Sequence, residues 1–323
     1  MPDDDALIHA MILDGGGGAR AIGWAEAASW TPDAGPLWLH LDRSHPGTRR
    51  WLDEASGLDE LVVESLLAED TRPRFAVHEA GAVVILRGVN LNPGTEPDDM
   101  VSLRMWVDAG RLISMRMPRV RAVGDVSHLL DTRHGPTSSA STLVALAAAL
   151  TDRVEPVLDN LDELLAGHEE RTEGSEQTPT RLLTSLRRQA ITLHRYLRPQ
   201  RDALAQLSDG YFAGFTDLDR RRCYEAANRV TRFVEDLDAL RDRAMVVYED
   251  TLARQSERMN RTTYLLTLIA TIFLPLGFIT GLLGINVGGI PLAESGWGFG
   301  LVCAALVLLA VGEFLLFRWL RLL

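Results

Sequence analysis

A short run near the end of the chain, Gly284-Ile285-Asn286, leads into Val287-Gly288-Gly289-Ile290-Pro291 and lies between two uncharged stretches. An asparagine amide and backbone carbonyls are hard oxygen acceptors without charge. Repeated around an axis, they can hold the waters of a hydrated divalent cation and still let it leave. Glycine and asparagine are also ordinary turn residues, so the motif takes its weight from its position. Just before it, Thr263, Leu266, Ala270, Leu274, Gly277, Gly281 and Gly284 recur at spacings of 3, 4, 4, 3, 4 and 3. That is close to a 3.5 repeat, the pattern of a helix facing a bundle axis. Two readings fit the stripe: small residues let membrane helices approach closely, and small or apolar residues line a narrow pore.

The elements that must position these residues follow from the charge pattern. Residues 262–293 carry no charge, and neither do residues 295–312. A helix needs about 20 apolar residues to cross ~30 Å of hydrocarbon, which predicts spans over 262–283 and 297–317. Trp297, Phe299, Phe317 and Trp319 stand near the ends of the second span, where aromatic rings favour the interface. Arg254, Arg258 and Arg261 precede the first span, Arg318 and Arg321 end the second, and the connecting loop 284–296 has no basic residue. The positive-inside bias then places both termini in the cytoplasm of a bacterial inner membrane and the loop outside. The acidic start Met1-Pro2-Asp3-Asp4-Asp5 lacks the apolar stretch of a signal peptide. Two helices cannot enclose an aqueous path, so conduction through this tail requires several copies around an axis.

The 323 residues include 33 basic and 44 acidic side chains, for a net charge of -11, and every basic residue is arginine. Within 262–323 the charges of Glu294, Glu313, Arg318 and Arg321 cancel, so the whole -11 belongs to residues 1–261. Such acidity argues against a nucleic-acid partner. The mean hydropathy of +0.01 is the average of an acidic part and an apolar tail. Cys223 and Cys303 offer no metal-ligand spacing, and no phosphate-cradling GxxxxGK[ST] run is present.

Residues 1–138 read as a cytoplasmic α/β part. Pro36–Asp42 predicts a strand and Ser56-Gly57-Leu58-Asp59 opens a helical stretch. Phe75–His78, Ala82–Gly88, Val101–Asp108 and Arg111–Met117 read as further strands, the last two paired through the turn Asp108-Ala109-Gly110. Residues 139–261 read as helical, with one segment over Ser141–Glu170 interrupted at Pro156. A second helix opens at Thr178-Pro179 and runs to about Ser208. From Asp217 no proline occurs before Pro275 and no glycine before Gly277. One helix of about 100 Å is expected to run on into the first span, leaving 262–323 as the membrane domain.

Other polar residues invite weaker readings. Along the long helix, acids including Asp217, Glu235, Asp250 and Glu257 alternate with arginines. They read as solvated i, i+4 pairs, or as a cation-concentrating surface if some face an axis. Of eight scattered histidines, none shares a helical ligand spacing; His168, beside Glu169 and Glu170, is the best candidate for an incidental zinc site. Glu294 offers negative charge at the outer loop. Glu313, inside the second span, reads as reaching the interface or pairing with an arginine.

The tail Arg258-Met259-Asn260, Phe273-Leu274-Pro275 and Gly281-Leu282-Leu283-Gly284-Ile285-Asn286-Val287-Gly288-Gly289-Ile290-Pro291 resembles the CorA superfamily of divalent-cation transporters. Its Gly-Ile-Asn and Gly-Gly-Ile-Pro form looks like the ZntB zinc-transporter branch. Upstream, Trp38-Leu39-His40-Leu41, Arg72-Pro73-Arg74, Leu86 to Gly94 and Met100 to Arg104 look like the same branch. The resemblance implies a homopentameric funnel of this one chain in a lipid bilayer. Each copy would have an α+β domain, with a mixed sheet and flanking helices, continuing through a very long stalk helix into two transmembrane helices. It implies that Asn286 and the Gly284 carbonyl meet a hydrated cation, zinc above magnesium, cobalt or nickel. No resident cofactor and no enzymatic step are implied. Gly277 stands where the magnesium branch commonly has threonine, and Leu292 follows Pro291 where that branch has an acidic mouth. A membrane-anchored oligomeric sensor or scaffold would also explain the stalk and spans, but not the loop.

Overall fold

The computed structural model describes residues 4–69, 71–172, 180–209, 214–285 and 295–319. The chain separates into two compact units, Met1–Tyr248 and Glu249–Leu323.

The first unit is organised by a mixed sheet. Its strands are β1 (Leu7–Leu13), β2 (Ala19–Ile22), β3 (Leu37–Asp42), β4 (Arg74–His78), β5 (Gly81–Gly88), β6 (Val101–Val107) and β7 (Arg111–Arg116), in the spatial order β2-β1-β3-β7-β6-β5-β4. β3 and β7 are parallel; every other neighbouring pair is antiparallel. Both faces are covered, which is why β5 reads as an almost unbroken apolar run. Val83 and Ile85 point to one face, with Trp24, Trp51, Leu52, Val62 and Leu66 of α1 (Trp24–Ala28), α2 (Pro46–Glu54) and α3 (Glu60–Leu67). Val84 and Leu86 point to the other. That face is covered by α4 (Arg121–Asp131), α5 (Ser139–Asp152), α6 (Glu155–Thr172), α7 (Thr180–Asp209) and the first part of α8 (Asp217–Leu283).

The predicted strands and the β6–β7 hairpin are present, while β1, β2, α1, α2 and α4 are additions. Seven apolar-rich residues such as Leu7–Leu13 carry too little periodicity to tell strand from helix. The helix expected to open at Ser56 begins at Glu60 instead. Asp59 caps it, accepting from the Leu61 amide at 2.9 Å. The Ser56 hydroxyl donates to the Leu52 carbonyl at 2.6 Å and so helps to close α2. The break near Pro156 falls at residues 153–154, leaving proline in the first turn of α6, where a missing N–H costs no helical bond. The Thr178-Pro179 cap and the polar connector before it lie outside the described residues.

α8 is one uninterrupted helix of 67 residues containing Pro275. In the first unit the end of α5 and α6 are pinned to it by two arginines. Arg229 reaches Asp152 and, at 3.0 Å, Glu155; Arg243 reaches Asp162 at 2.5 Å and Glu169 at 2.8 Å. The acid–arginine pattern of α8 thus serves helix pairing as well as pairs such as Arg254–Asp250 at 2.8 Å.

Within the sheet, His9 and His40 face each other across β1 and β3 with ring centroids 5.0 Å apart. The Ser114 hydroxyl donates to the Leu39 carbonyl at 3.1 Å and accepts from Trp38 Nε1 at 2.9 Å. Its one proton is used there, so His40 Nδ1, 2.8 Å away, is the donor to Ser114 Oγ. Burial, then the charge of Arg116, pulls the His9 imidazole down to about 4. Burial, then the charges of His9 and Arg116, holds His40 well below its ordinary range against the opposing Ser114 hydrogen bond. In the unfolded chain both titrate near 6.5, so acid loads protons on the unfolded state first. Their contribution is complete above about pH 6.5 and is lost as the pH falls toward 4, His9 alone costing about 2 kcal/mol by pH 5. The thermal midpoint of the detergent-solubilised chain is therefore expected to fall between pH 7 and 5. His9→Asn should flatten that slope; an equally steep slope in the variant would place the acid sensitivity elsewhere.

Candidate ion pathway

The second unit contains the C-terminal part of α8 and α9 (Gly298–Trp319), both long and apolar enough to cross a membrane. At 100° per residue, α8 has two distinct sides here. Leu268, Ile272, Pro275, Leu276, Ile279 and Leu283 are half-buried and fall on one side. Thr263, Leu266, Ala270, Leu274, Gly277 and Gly281 are exposed and fall on the opposite side. Leu266 and Leu274 are 63% and 75% exposed, so the stripe is uncovered within one chain. A Cβ placed on Gly277 or Gly281 would meet nothing within 4 Å; the space beside these glycines is open.

Three hydroxyls of this span bond within the helix. The Thr267 hydroxyl donates to the Thr263 carbonyl at 2.8 Å, Thr271 to Thr267 at 2.8 Å and Thr280 to Leu276 at 2.9 Å. Thr267 and Thr271 fall outside the 3.5-residue stripe, although their four-residue spacing from Thr263 is visible in the sequence. Pro275 has no N–H to offer the Thr271 carbonyl, which leaves a neutral oxygen in mid-span. At the end of α8 the Gly284 amide is shared between the carbonyls of Thr280 at 3.0 Å and Gly281 at 3.2 Å. Gly284 and Ile285 are exposed; Asn286 and Glu294 lie outside the described residues.

α9 likewise has one covered side, formed by Val302, Leu306, Leu309, Glu313 and Phe317. Glu313 therefore turns inward, and its Oε2 is buried without a hydrogen-bond partner. Among the described residues it has no ion-pair partner, which removes the reading of a pair with Arg318. The other candidates sit in or beside the first unit. His168 is buried on α6, and Glu169 beside it is committed to Arg243. Asp250 is exposed on α8 and paired with Arg254. Among the described residues no group of three or more His, Cys, Asp or Glu side chains is placed to hold a metal ion.

Residues 33–319 match the family described as CorA-like Mg2+ transporter protein. The chain belongs to that family. It is 42% identical over 326 residues to the divalent cation transporter CmaX of Pseudomonas aeruginosa, covering 99% of this chain and 97% of that one. It is 37% identical over 305 residues to the zinc transport protein ZntB of Pectobacterium carotovorum, covering 94% and 92%. The fold is similar to the structure of full-length CmaX, with a TM-score of 0.87, 41% identity and 99% of each chain covered. This CorA-family chain is thus a divalent-cation transporter, not an enzyme, and its mixed sheet, long helix and two apolar C-terminal helices are the family architecture.

A buried side-chain oxygen without a hydrogen-bond partner costs folding free energy. Glu313→Leu replaces it with an apolar group on the covered side of α9, so it is expected to stabilise the solubilised chain by about 1–3 kcal/mol, read as a raised thermal midpoint. A lowered midpoint would show that the carboxylate is held by a favourable interaction.

Proposed function

We propose that this CorA-family transporter carries zinc across a bacterial inner membrane. It does so as a ring of identical copies, five by resemblance to the CorA funnel, with both termini in the cytoplasm. The observation that carries the reading is the uncovered stripe from Thr263 to Gly281, directly opposite the half-buried side of α8 and leading to Gly284-Ile285-Asn286. Two helices enclose no water, so such a side meets its neighbours in an assembly. Small and apolar residues there keep the path narrow and free of charge, and the Asn286 amides ring its outer end. A cation reaching that ring keeps its hydration shell, because neutral oxygens bind the shell and not the bare ion.

Zinc as the cargo is supported by the Gly-Ile-Asn and Gly-Gly-Ile-Pro form of the loop and by the ZntB relatives; the CmaX relative is described only as a divalent cation transporter. The membrane potential drives a dication inward by about 2.3 kcal/mol per charge per 100 mV. No nucleotide-binding loop is present to power the step.

Reconstituted proteoliposomes test the assignment. The intact chain should take up zinc faster than magnesium, cobalt or nickel, and Asn286→Ala should cut zinc flux by tenfold or more. Zinc flux unchanged by that substitution removes Asn286 from the pathway. Magnesium flux exceeding zinc flux, with zinc failing to compete, makes magnesium the cargo.

A further inference from the structure

Four arginines meet at one end of the sheet in the first unit, far from the membrane spans in sequence. β3 runs parallel to β7, and β5 and β7 both run antiparallel to β6, so the carboxyl ends of β3, β5 and β7 lie together. Arg43 follows β3, Arg87 lies near the end of β5 and Arg116 ends β7. With Arg104 of β6 they line a cavity of about 190 Å³, which Glu69 and Asp99 also border. Four positive against two negative side chains leave +2 on the described lining, in a chain whose total is -11.

Two of these guanidiniums are fixed in place. Arg104, 3% exposed, donates to the carbonyls of Leu66 at 2.8 Å, Ala68 and Glu69 at 3.2 Å. Arg87 donates to the Thr71 carbonyl through Nε and Nη2 at 3.2 and 2.9 Å and to Met100 at 2.8 Å, and lies 4.2 Å over the Tyr196 ring. The other two keep donors in reserve. Of five N–H groups on each, Arg43 gives one to the Ala68 carbonyl at 2.9 Å. Arg116 gives one to Met117 at 3.4 Å. Partial burial pulls both guanidiniums below their ordinary range, against the nearby carboxylates of Glu69 and Asp42 respectively. They are cations short of water, with spare forked donors aimed around a small space.

Guanidinium forks match carboxylate and phosphate oxygens. The cavity is smaller than the roughly 300–1,000 Å³ of pockets that take drug-sized ligands, so the group it holds is small. We propose that the cavity ringed by Arg43, Arg87, Arg104 and Arg116 binds a phosphate-type oxyanion, either free phosphate or the terminal phosphoryl group of a larger metabolite. The site does not depend on which metal is transported.

Calorimetric titration of the full chain in detergent, at constant ionic strength, tests this with inorganic phosphate and, separately, ADP. Saturable binding is expected, weakened tenfold or more by Arg43→Gln and by Arg116→Gln. The surface variant Arg20→Gln, whose arginine is paired with Glu26 at 2.6 Å, should bind as the parent does. Glu69→Gln should tighten binding, because it removes an exposed carboxylate that competes with the anion; this arm decides the matter should either arginine variant fail to fold. Tighter binding of ADP than of phosphate identifies the phosphoryl end of a metabolite, and the reverse order identifies the free ion. No saturable binding of either anion, or binding unchanged in both folded arginine variants and in Glu69→Gln, overturns the proposal.

Discussion

Hydrocarbon offers no hydrogen bonds, and the second unit is shaped by that single constraint. Every backbone amide and carbonyl inside a bilayer must find its partner within the protein, which leaves the helix as the only form for a two-span tail. The same rule governs the side chains. Thr267, Thr271 and Thr280 turn their hydroxyls onto carbonyls of the preceding turn, so these three are satisfied without a second helix. Glu313 turns onto the covered side of α9 rather than toward lipid. What remains on the open side of α8 is small, apolar or glycine. The open side of α8 within 262–283 thus carries no charge.

The first unit solves the opposite problem. It carries the chain's whole net charge yet buries a sheet on both faces, so its polar groups must be tied down individually. Arg104, in the interior, is tolerated because backbone carbonyls surround it. His40 is tolerated because it stays neutral and gives its Nδ1 proton to Ser114. Arg229 and Arg243 stand four helical turns apart on α8 and meet acids on α6 at both places. Arginine is suited to these positions: its fork reaches two acceptors at once, where a lysine ammonium would supply only a point charge.

Much of this was legible in the sequence because the signals were long or strictly spaced. The continuity of α8 followed from the absence of glycine and proline between Asp217 and Pro275. The two spans followed from uncharged runs, and the β6–β7 hairpin from Asp108-Ala109-Gly110 between apolar strands. The stripe on α8 was also visible as a spacing, whereas the burial of the opposite side was not, since that depends on a neighbouring helix. Short elements escaped: Leu7–Leu13 and Trp24–Ala28 gain their stability from tertiary packing, with Trp24 against Trp51 at 5.4 Å. The arginine cavity was illegible for a different reason. Arg43, Arg87, Arg104 and Arg116 lie in or directly after four strands whose order in the sheet is not their order in the chain. Glu313 was visible as a charge in an apolar run, but its direction is fixed by the covered side of α9.

The neutral wall bears on how selectivity can arise in such a transporter. A site that strips water from a small dication must replace six or more oxygens with ligands of comparable strength, and the open side of α8 has too few to give. The Thr267, Thr271 and Thr280 hydroxyls are bonded within the helix, which leaves little beyond the Thr263 hydroxyl and the mid-span Thr271 carbonyl. In the proposed pathway a dication moving past Leu266 and Leu274 travels with its water, and the width between apolar side chains acts on the hydrated ion. Discrimination by ligand hardness, which would separate zinc from magnesium sharply, is weak along such a wall. In that pathway the burden shifts to the oxygens at its outer end and to the rate at which each ion sheds or reorients water. In the proposed pathway, selectivity among dications falls to a few neutral groups at Gly284-Ile285-Asn286 and to hydration, while the long helix supplies the path.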